Sequence, residues 1–241
     1  MPSDAGTEEL YLRDPYSREF AARVIRLSGR EVVLDRTAFY PGGGGMPSDK
    51  GYLGVGPIRT KVIEVRRSGT DDYDGFEGDD LSQKEWIVHV LDRPMPETVR
   101  EVRGELDWAR RHRNLRYATA LALFSAVARR DFGLRSGGGR IRSGKARIDL
   151  VKSGRGRESG GAAAREIAKK LESAVNETVL SGGRTEVVGG RLKVRDLPPV
   201  EGGGLYVRDL AEVGRVEVTR WTDRGRDVRL EFTLPGAGGS R

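Results

Sequence analysis

The sequence predicts an α+β protein: a small Gly-rich β-barrel at the N-terminal end, then an α+β domain with helices packed on a largely antiparallel sheet. Three observations carry that prediction. The first hundred residues hold only short apolar or alternating runs separated by turns, the pattern of a small barrel. From Asp107 to Arg130 the apolar period becomes four, with Leu115, Thr119, Leu123 and Val127 recurring, which predicts an amphipathic helix. Beyond it, strand-like segments surround a second helix. The punctuation Arg93-Pro94-Met95-Pro96 places the boundary, with a barrel domain at 1–95 and an α+β domain at 96–241.

Taken in order, Leu10–Asp14, Phe20–Leu27 and Glu31–Leu34 read as strands, the last two joined by the hairpin signal Ser28-Gly29-Arg30. Ile58–Val65 alternates apolar and polar side chains, and Trp86–Leu91 is a mostly apolar strand. Between them, Ser68–Asp80 is acidic and Gly-rich and reads as a mobile surface loop. Gly133 ends the first long helix, and Ser181-Gly182-Gly183 ends a second at Ala162–Leu180. Ala146–Val151, Glu186–Val188, Val213–Arg220 and Val228–Leu234 complete the strand set.

Composition narrows the chemistry. The 241 residues contain no Cys and two His, which removes thiol nucleophiles, disulfides and thiolate ligands and leaves His89 and His112 as the imidazoles. The longest apolar run, Ala120–Phe124, is too short to span a bilayer, and the N-terminal residues lack the features of a signal peptide, so the chain reads as cytoplasmic. The net charge of +7 is local in origin: residues 101–170 carry 18 Lys/Arg against 7 Asp/Glu. Arg dominates the basic set, and its guanidinium fork suits bidentate phosphate contacts, so a polyanion is the expected partner. Genome composition or a hot habitat is the alternative source of that Arg content.

Thr37-Ala38-Phe39-Tyr40-Pro41-Gly42-Gly43-Gly44-Gly45-Met46-Pro47-Ser48-Asp49 is the most unusual local sequence. Its four glycines permit positive φ and close backbone approach, which suits either a tight turn or a ligand loop. The wording resembles the TAFYPxGGGQPSDxG loop of the alanyl-tRNA editing family, with Met46 in place of Gln. Three further segments match in the same order. Gly104–Arg111 with Leu115–Ala122 is similar to GxIDWxRR and RxHTALH, and Gly144–Leu150 is similar to DKARIDF. Gly202–Val207, with Glu212-Val213-Gly214 after it, stands where that family has CGGTHV and EIG. The resemblance covers most of the chain. It implies a Gly-rich barrel followed by the editing domain shared with threonyl-tRNA synthetase, hydrolysis of mischarged Ser- or Gly-tRNA for alanine, and a Zn²⁺ site.

The departures fall on the site itself. The resemblance puts the zinc ligands at Ala118, Ala122, Gly202 and Tyr206, where two methyl groups, a bare backbone and a phenol offer no suitable donor at neutral pH. No zinc or other cofactor is therefore expected. His89 and His112 do not substitute by geometry and read as partly exposed surface or partner-binding residues. Thr119 and Met46 belong to the same degenerate site, Gly42, Gly43, Gly44 and Gly45 to a substrate loop, and Met46 and Tyr206 are expected to lean into the vacated space.

Glu201, Asp209 and Glu212 are the carboxylates in reach of that region, Glu201 being the candidate general base; structural pairing with Arg is the simpler reading. Arg110, Arg113, Arg116, Arg140, Arg142 and Lys145 are expected to form an RNA-binding face, the last three on a flexible basic loop at Ser136–Lys145. That loop departs from the phosphate-loop pattern because Ala146 follows Lys145. The resulting expectation is a protein that binds the acceptor end of tRNA(Ala), with deacylase activity weak or absent. A zinc-free deacylase and an engineered or non-RNA scaffold are the alternatives.

Overall fold

In the N-terminal half, ten-residue stretches that alternate buried and exposed side chains are long enough to curl, and glycines where backbones cross let them close. The computed structural model describes residues 6–68, 85–142, 144–152, 161–201 and 205–236. The loop expected at Ser68–Asp80 lies, apart from Ser68, outside the described residues, as does Gly202. Two compact units are distinguished, Met1–Gly43 with Pro47–Arg111, and Gly44–Met46 with His112–Arg241.

The first unit opens with β1 (Glu8–Glu9) and α1 (Leu10–Arg13), followed by β2 (Glu19–Ser28), β3 (Glu31–Leu34), β4 (Arg36–Thr37), β5 (Gly51–Val55), β6 (Ile58–Arg67), β7 (Ile87–Leu91) and β8 (Glu101–Leu106). Six of these close a barrel in the order β2-β3-β7-β6-β5-β8. Its interior is filled by side chains that are at most 1% exposed, including Val32, Leu34, Leu53, Val62, Val65, Ile87 and Leu91, as expected of a small barrel. β8 closes the barrel against β2, with Phe20 opposite Gly104. A Cβ at Gly104 would collide with the Phe20 ring, so the aromatic covers the bare backbone.

Two expectations are corrected here. β8 follows Arg93–Pro96 in sequence, so that punctuation lies inside the barrel unit rather than at its end; the unit runs on to Arg111. The segment expected as a strand at Leu10–Asp14 is a single helical turn, α1. One turn buries Tyr11 completely, edge-on to Tyr40 at 5.4 Å between ring centroids. Tertiary burial outweighs local preference in so short a run.

The second unit holds α2 (Trp108–Phe132, of which His112 onward belongs here), β9 (Leu134–Arg142), β10 (Lys145–Lys152), α3 (Gly161–Leu180), β11 (Glu186–Val188), β12 (Arg191–Lys193), β13 (Val200–Glu201), a 3-10 turn (Leu210–Val213), β14 (Glu217–Asp223) and β15 (Asp227–Thr233). A four-stranded antiparallel sheet runs β14-β15-β10-β9, and β11-β12-β13 form a smaller one. The strand expected at Val213–Arg220 starts only at Glu217, because the preceding residues form the capped 3-10 turn.

Asp107 starts α2, its Oδ1 accepting from Arg110 N at 3.0 Å, and Gly133 stops it at φ +63°. The helix is not amphipathic as expected: Ala120, Leu121, Ala122, Leu123 and Phe124 are all at most 9% exposed. On one side Phe124 stacks on Phe232 of the sheet at 4.8 Å. On another, Thr119 and Arg116 bond the backbone of Val207 and Val213. A helix covered on several sides loses its polar stripe. Among the described residues no helix is long and apolar enough to cross a membrane.

Candidate functional site

At 3.6 residues per turn, Ala118 and Ala122 are neighbours on one stripe of α2. Ala118 is half-buried and Ala122 is 5% exposed. Thr119, between them in sequence, is fully buried and internally satisfied: its Oγ1 donates to Leu115 O at 2.8 Å and accepts from Val207 N at 3.1 Å. That second bond ties the backbone at Val207 to the helix, and the preceding Tyr206 is 5% exposed. Met46 is also buried, at 7% exposure. The methyl groups and the phenol differ in kind from the imidazoles and thiolates that hold zinc. Among the described residues no three His, Cys, Asp or Glu side chains cluster as a metal site.

The glycine loop meets β9 at Gly45 through its backbone. Gly42, Gly43, Gly44 and Gly45 all have positive φ. Gly45 is the most constrained, at φ +84°, because a Cβ there would collide with the carbonyl oxygen of Gly139. Its own carbonyl accepts from Ile141 N at 2.8 Å, so the loop adds a backbone bond to the free edge of β9. In the barrel unit, Asp49 anchors the loop's other end, its Oδ2 accepting from Tyr40 N at 2.7 Å. Asp49 is paired with Arg111, and both side chains are at most 1% exposed. Arg111 also donates to Pro15 O at 2.8 Å and Ala38 O at 2.5 Å. A buried ion pair with its remaining donors on carbonyls meets the conditions under which such a pair is tolerated. Sequence reasoning missed Arg111; its place in the Asp107-Trp108-Ala109-Arg110-Arg111 motif, matched to Pro47-Ser48-Asp49, was the available signal.

The imidazoles sit elsewhere. His89 is not partly exposed as expected but fully buried in the barrel, with Nε2 2.8 Å from Thr37 Oγ1 and Nδ1 3.1 Å from Val32 O. Burial pushes its pKa down to about 4, against a smaller upward effect of the Val32 carbonyl. His112 Nε2 lies 2.9 Å from Glu212 Oε2. Glu212 Oε1 accepts from Arg208 N and Asp209 N, and Asp209 Oδ1 accepts from Ala211 N, which makes both carboxylates the capping box of the 3-10 turn. Glu201 lies on β13, 78% exposed, in an ion pair with Arg191 at 2.7 Å.

The basic residues divide. Arg110 donates through Nε and Nη2 to Ser48 O, and Arg116 does the same to Val213 O at 3.1 and 2.8 Å. Partial burial holds the Arg116 pKa below the usual guanidinium range. These two guanidinia are committed to backbone carbonyls rather than displayed for phosphate. Arg113 is half-buried and makes no side-chain bond among the described residues.

Arg140, Arg142 and Lys145 are exposed, but the segment expected as a flexible loop is the β9–β10 hairpin. Its register pairs Lys145 with Arg142 and Arg147 with Arg140, so sequence reasoning also missed Arg147. Like charges directly opposite one another destabilise a sheet, and none of the four has an acidic partner within ion-pair distance among the described residues. Such a surface suits an anionic backbone.

No protein-family model matches the chain. It is 32% identical over 247 residues to the alanyl-tRNA editing protein AlaX-M of Saccharolobus solfataricus, covering 95% of this chain and 99% of that protein. Similarity extends to the alanine–tRNA ligase of Metallosphaera sedula, 28% identical over 94% of this chain but only 26% of the ligase. The ligase of Thermoplasma acidophilum is 39% identical over 53% of this chain and 13% of its own length. The likeness to that editing protein runs nearly end to end and agrees with the six-stranded barrel and the α+β fold; the chain belongs to the alanyl-tRNA editing family of AlaX-like proteins.

Proposed function

We propose that the protein binds the aminoacylated acceptor end of a tRNA, with tRNA(Ala) as its partner, on a scaffold whose four zinc-ligand positions carry residues unsuited to zinc at neutral pH. Deacylation is then slow or absent. The observation that carries this reading is the pair Ala118 and Ala122, four residues apart on one stripe of α2. That geometry keeps the spacing of a ligand pair while its two methyl groups offer no lone pair to a metal. The residues present do not fit Zn²⁺, and no step is assigned to it.

The basic hairpin holds the backbone by phosphate contacts, which position a nucleic acid without reading its sequence. Within the second unit, the backbone of Gly44 and Gly45 and the α2 stripe then face the terminal aminoacyl group. A water attacking the ester needs a base, and the candidates are engaged: Glu201 with Arg191, Asp209 and Glu212 in the capping box. The test is deacylation of Ser-tRNA(Ala) with and without added zinc. Turnover is expected at least about a hundredfold slower than by a zinc-bearing relative, the range that general acid–base help supplies, and unchanged by zinc or chelator. Fast zinc-independent turnover would instead establish a metal-free deacylase, and its loss in Glu201→Gln would identify the base.

A further inference from the structure

Asn114 lies one helical turn before Ala118 on α2. At 100° per residue it stands about 40° to one side of Ala118 while Ala122 stands about 40° to the other, so the three share a stripe. Asn114 is only 3% exposed, yet its Nδ2 has no hydrogen-bond partner. Buried side-chain donors are nearly always satisfied, and an orphan in a native protein demands a reason.

Two simple remedies were open to this position. An Asn in a helix can bond the carbonyl four residues back, as Asn176 of α3 does to Glu172 O at 3.0 Å. On α2 itself, Thr119 and Ser125 bond the carbonyls of Leu115 and Leu121 in that way. Asn114 does not. A leucine, with the same branching and the same number of side-chain heavy atoms, would also remove the unsatisfied donor, and the neighbouring Leu115 is fully buried. A polar group kept at a cost to the fold, on the stripe where the family site lies, has the character of a functional residue.

We propose that Asn114 is a ligand-recognition residue, its Nδ2 donating to the carbonyl oxygen of the aminoacyl group, which uncharged tRNA lacks. This rests on the acceptor-end reading above. A neutral amide donor suits a carbonyl or ribose oxygen and carries no charge that would favour a metal or a free anion. With Ala118 and Ala122 contributing methyl groups, this amide supplies polar discrimination on the stripe, orienting the ester without activating water.

The test uses the full chain and a non-hydrolysable probe, 3′-deoxy-3′-(L-serylamino)adenosine, alongside uncharged tRNA(Ala). Asn114→Leu is expected to raise the melting temperature while weakening probe binding about tenfold, the scale of one lost hydrogen bond to a desolvated partner. Asn114→Asp, equal in shape but lacking the donor, should weaken it at least as much. Both variants should bind uncharged tRNA as the parent does. Unchanged probe affinity in the two variants, or no probe binding by the parent, overturns the proposal. So does a fall in both melting temperature and affinity in Asn114→Leu, which would mark a packing residue; Asn114→Asp keeps the question answerable if the Leu variant does not fold. Failure of the parent to bind uncharged tRNA strikes separately at the acceptor-end reading.

Discussion

His89 shows how burial sets the behaviour of a single side chain. Val32 O can only accept, so the proton of the neutral ring sits on Nδ1, and Nε2 accepts from the Thr37 hydroxyl; that hydroxyl oxygen in turn accepts from Phe39 N. Because the folded pKa is about 4 and an unperturbed His titrates near 6.5, the neutral form stabilises the barrel. That contribution is whole above about pH 6.5 and is lost as pH falls towards 4. Stability should drop by about 2 kcal/mol between pH 7 and pH 5 from this group alone. Urea titrations of the parent and of His89→Phe measure it: the variant should lose most of that slope, and an equal slope in both would refute the assignment.

At the scale of elements, the glycine loop and the basic hairpin meet at β9. Gly45→Ala should break the bond from Ile141 N to the loop, because its Cβ would strike Gly139 O at a φ that already strains an L-residue. Faster amide exchange at Ile141 checks it. Gly29→Ala, at φ +56° with nothing near its Cβ, should cost only about 1–2 kcal/mol and leave Ile141 protected.

For the hairpin, Arg147→Glu faces Arg140 and replaces a like-charge pair with an opposite one, which should stabilise by about 0.2–1 kcal/mol. The same change should weaken tRNA binding and reduce its salt slope by about one. Binding that is indifferent to Arg147→Glu would remove the hairpin from the interface. Arg116→Glu should behave in the opposite sense, destabilising the second unit by releasing the Val213 carbonyl.

For the whole molecule, the prediction concerns dependence on metal. A barrel packed with fully buried aliphatic side chains and a helix covered on several sides supply cores that small zinc domains lack. Purified protein should therefore carry far less than one zinc per chain by elemental analysis, and chelators should leave its melting temperature unchanged. Introducing Ala118→His, Ala122→His, Gly202→Cys and Tyr206→His together should confer zinc binding and raise deacylation of Ser-tRNA(Ala) above the parent. Stoichiometric zinc in the parent would overturn the degenerate-site reading.

The α+β class, the barrel-first order and the two long helices were all readable from the sequence. Each depends on near-neighbour periodicity or on residue types in a fixed order: period two for β6, four-residue spacing for α2, glycines for turns. What only the tertiary structure decided depends on partners far apart in sequence. β8 was hidden because its Glu101-Val102-Arg103-Gly104 register matters only beside β2 and β5. α2 loses its polar stripe because a sheet and the 205–213 segment cover it from different sides. Arg111, Arg116 and Arg140 are the same residue type, yet one is buried with Asp49, one holds a carbonyl and one is exposed on the hairpin. A guanidinium's role is set by which acceptors the fold brings within 3 Å, and local sequence carries no record of that distance.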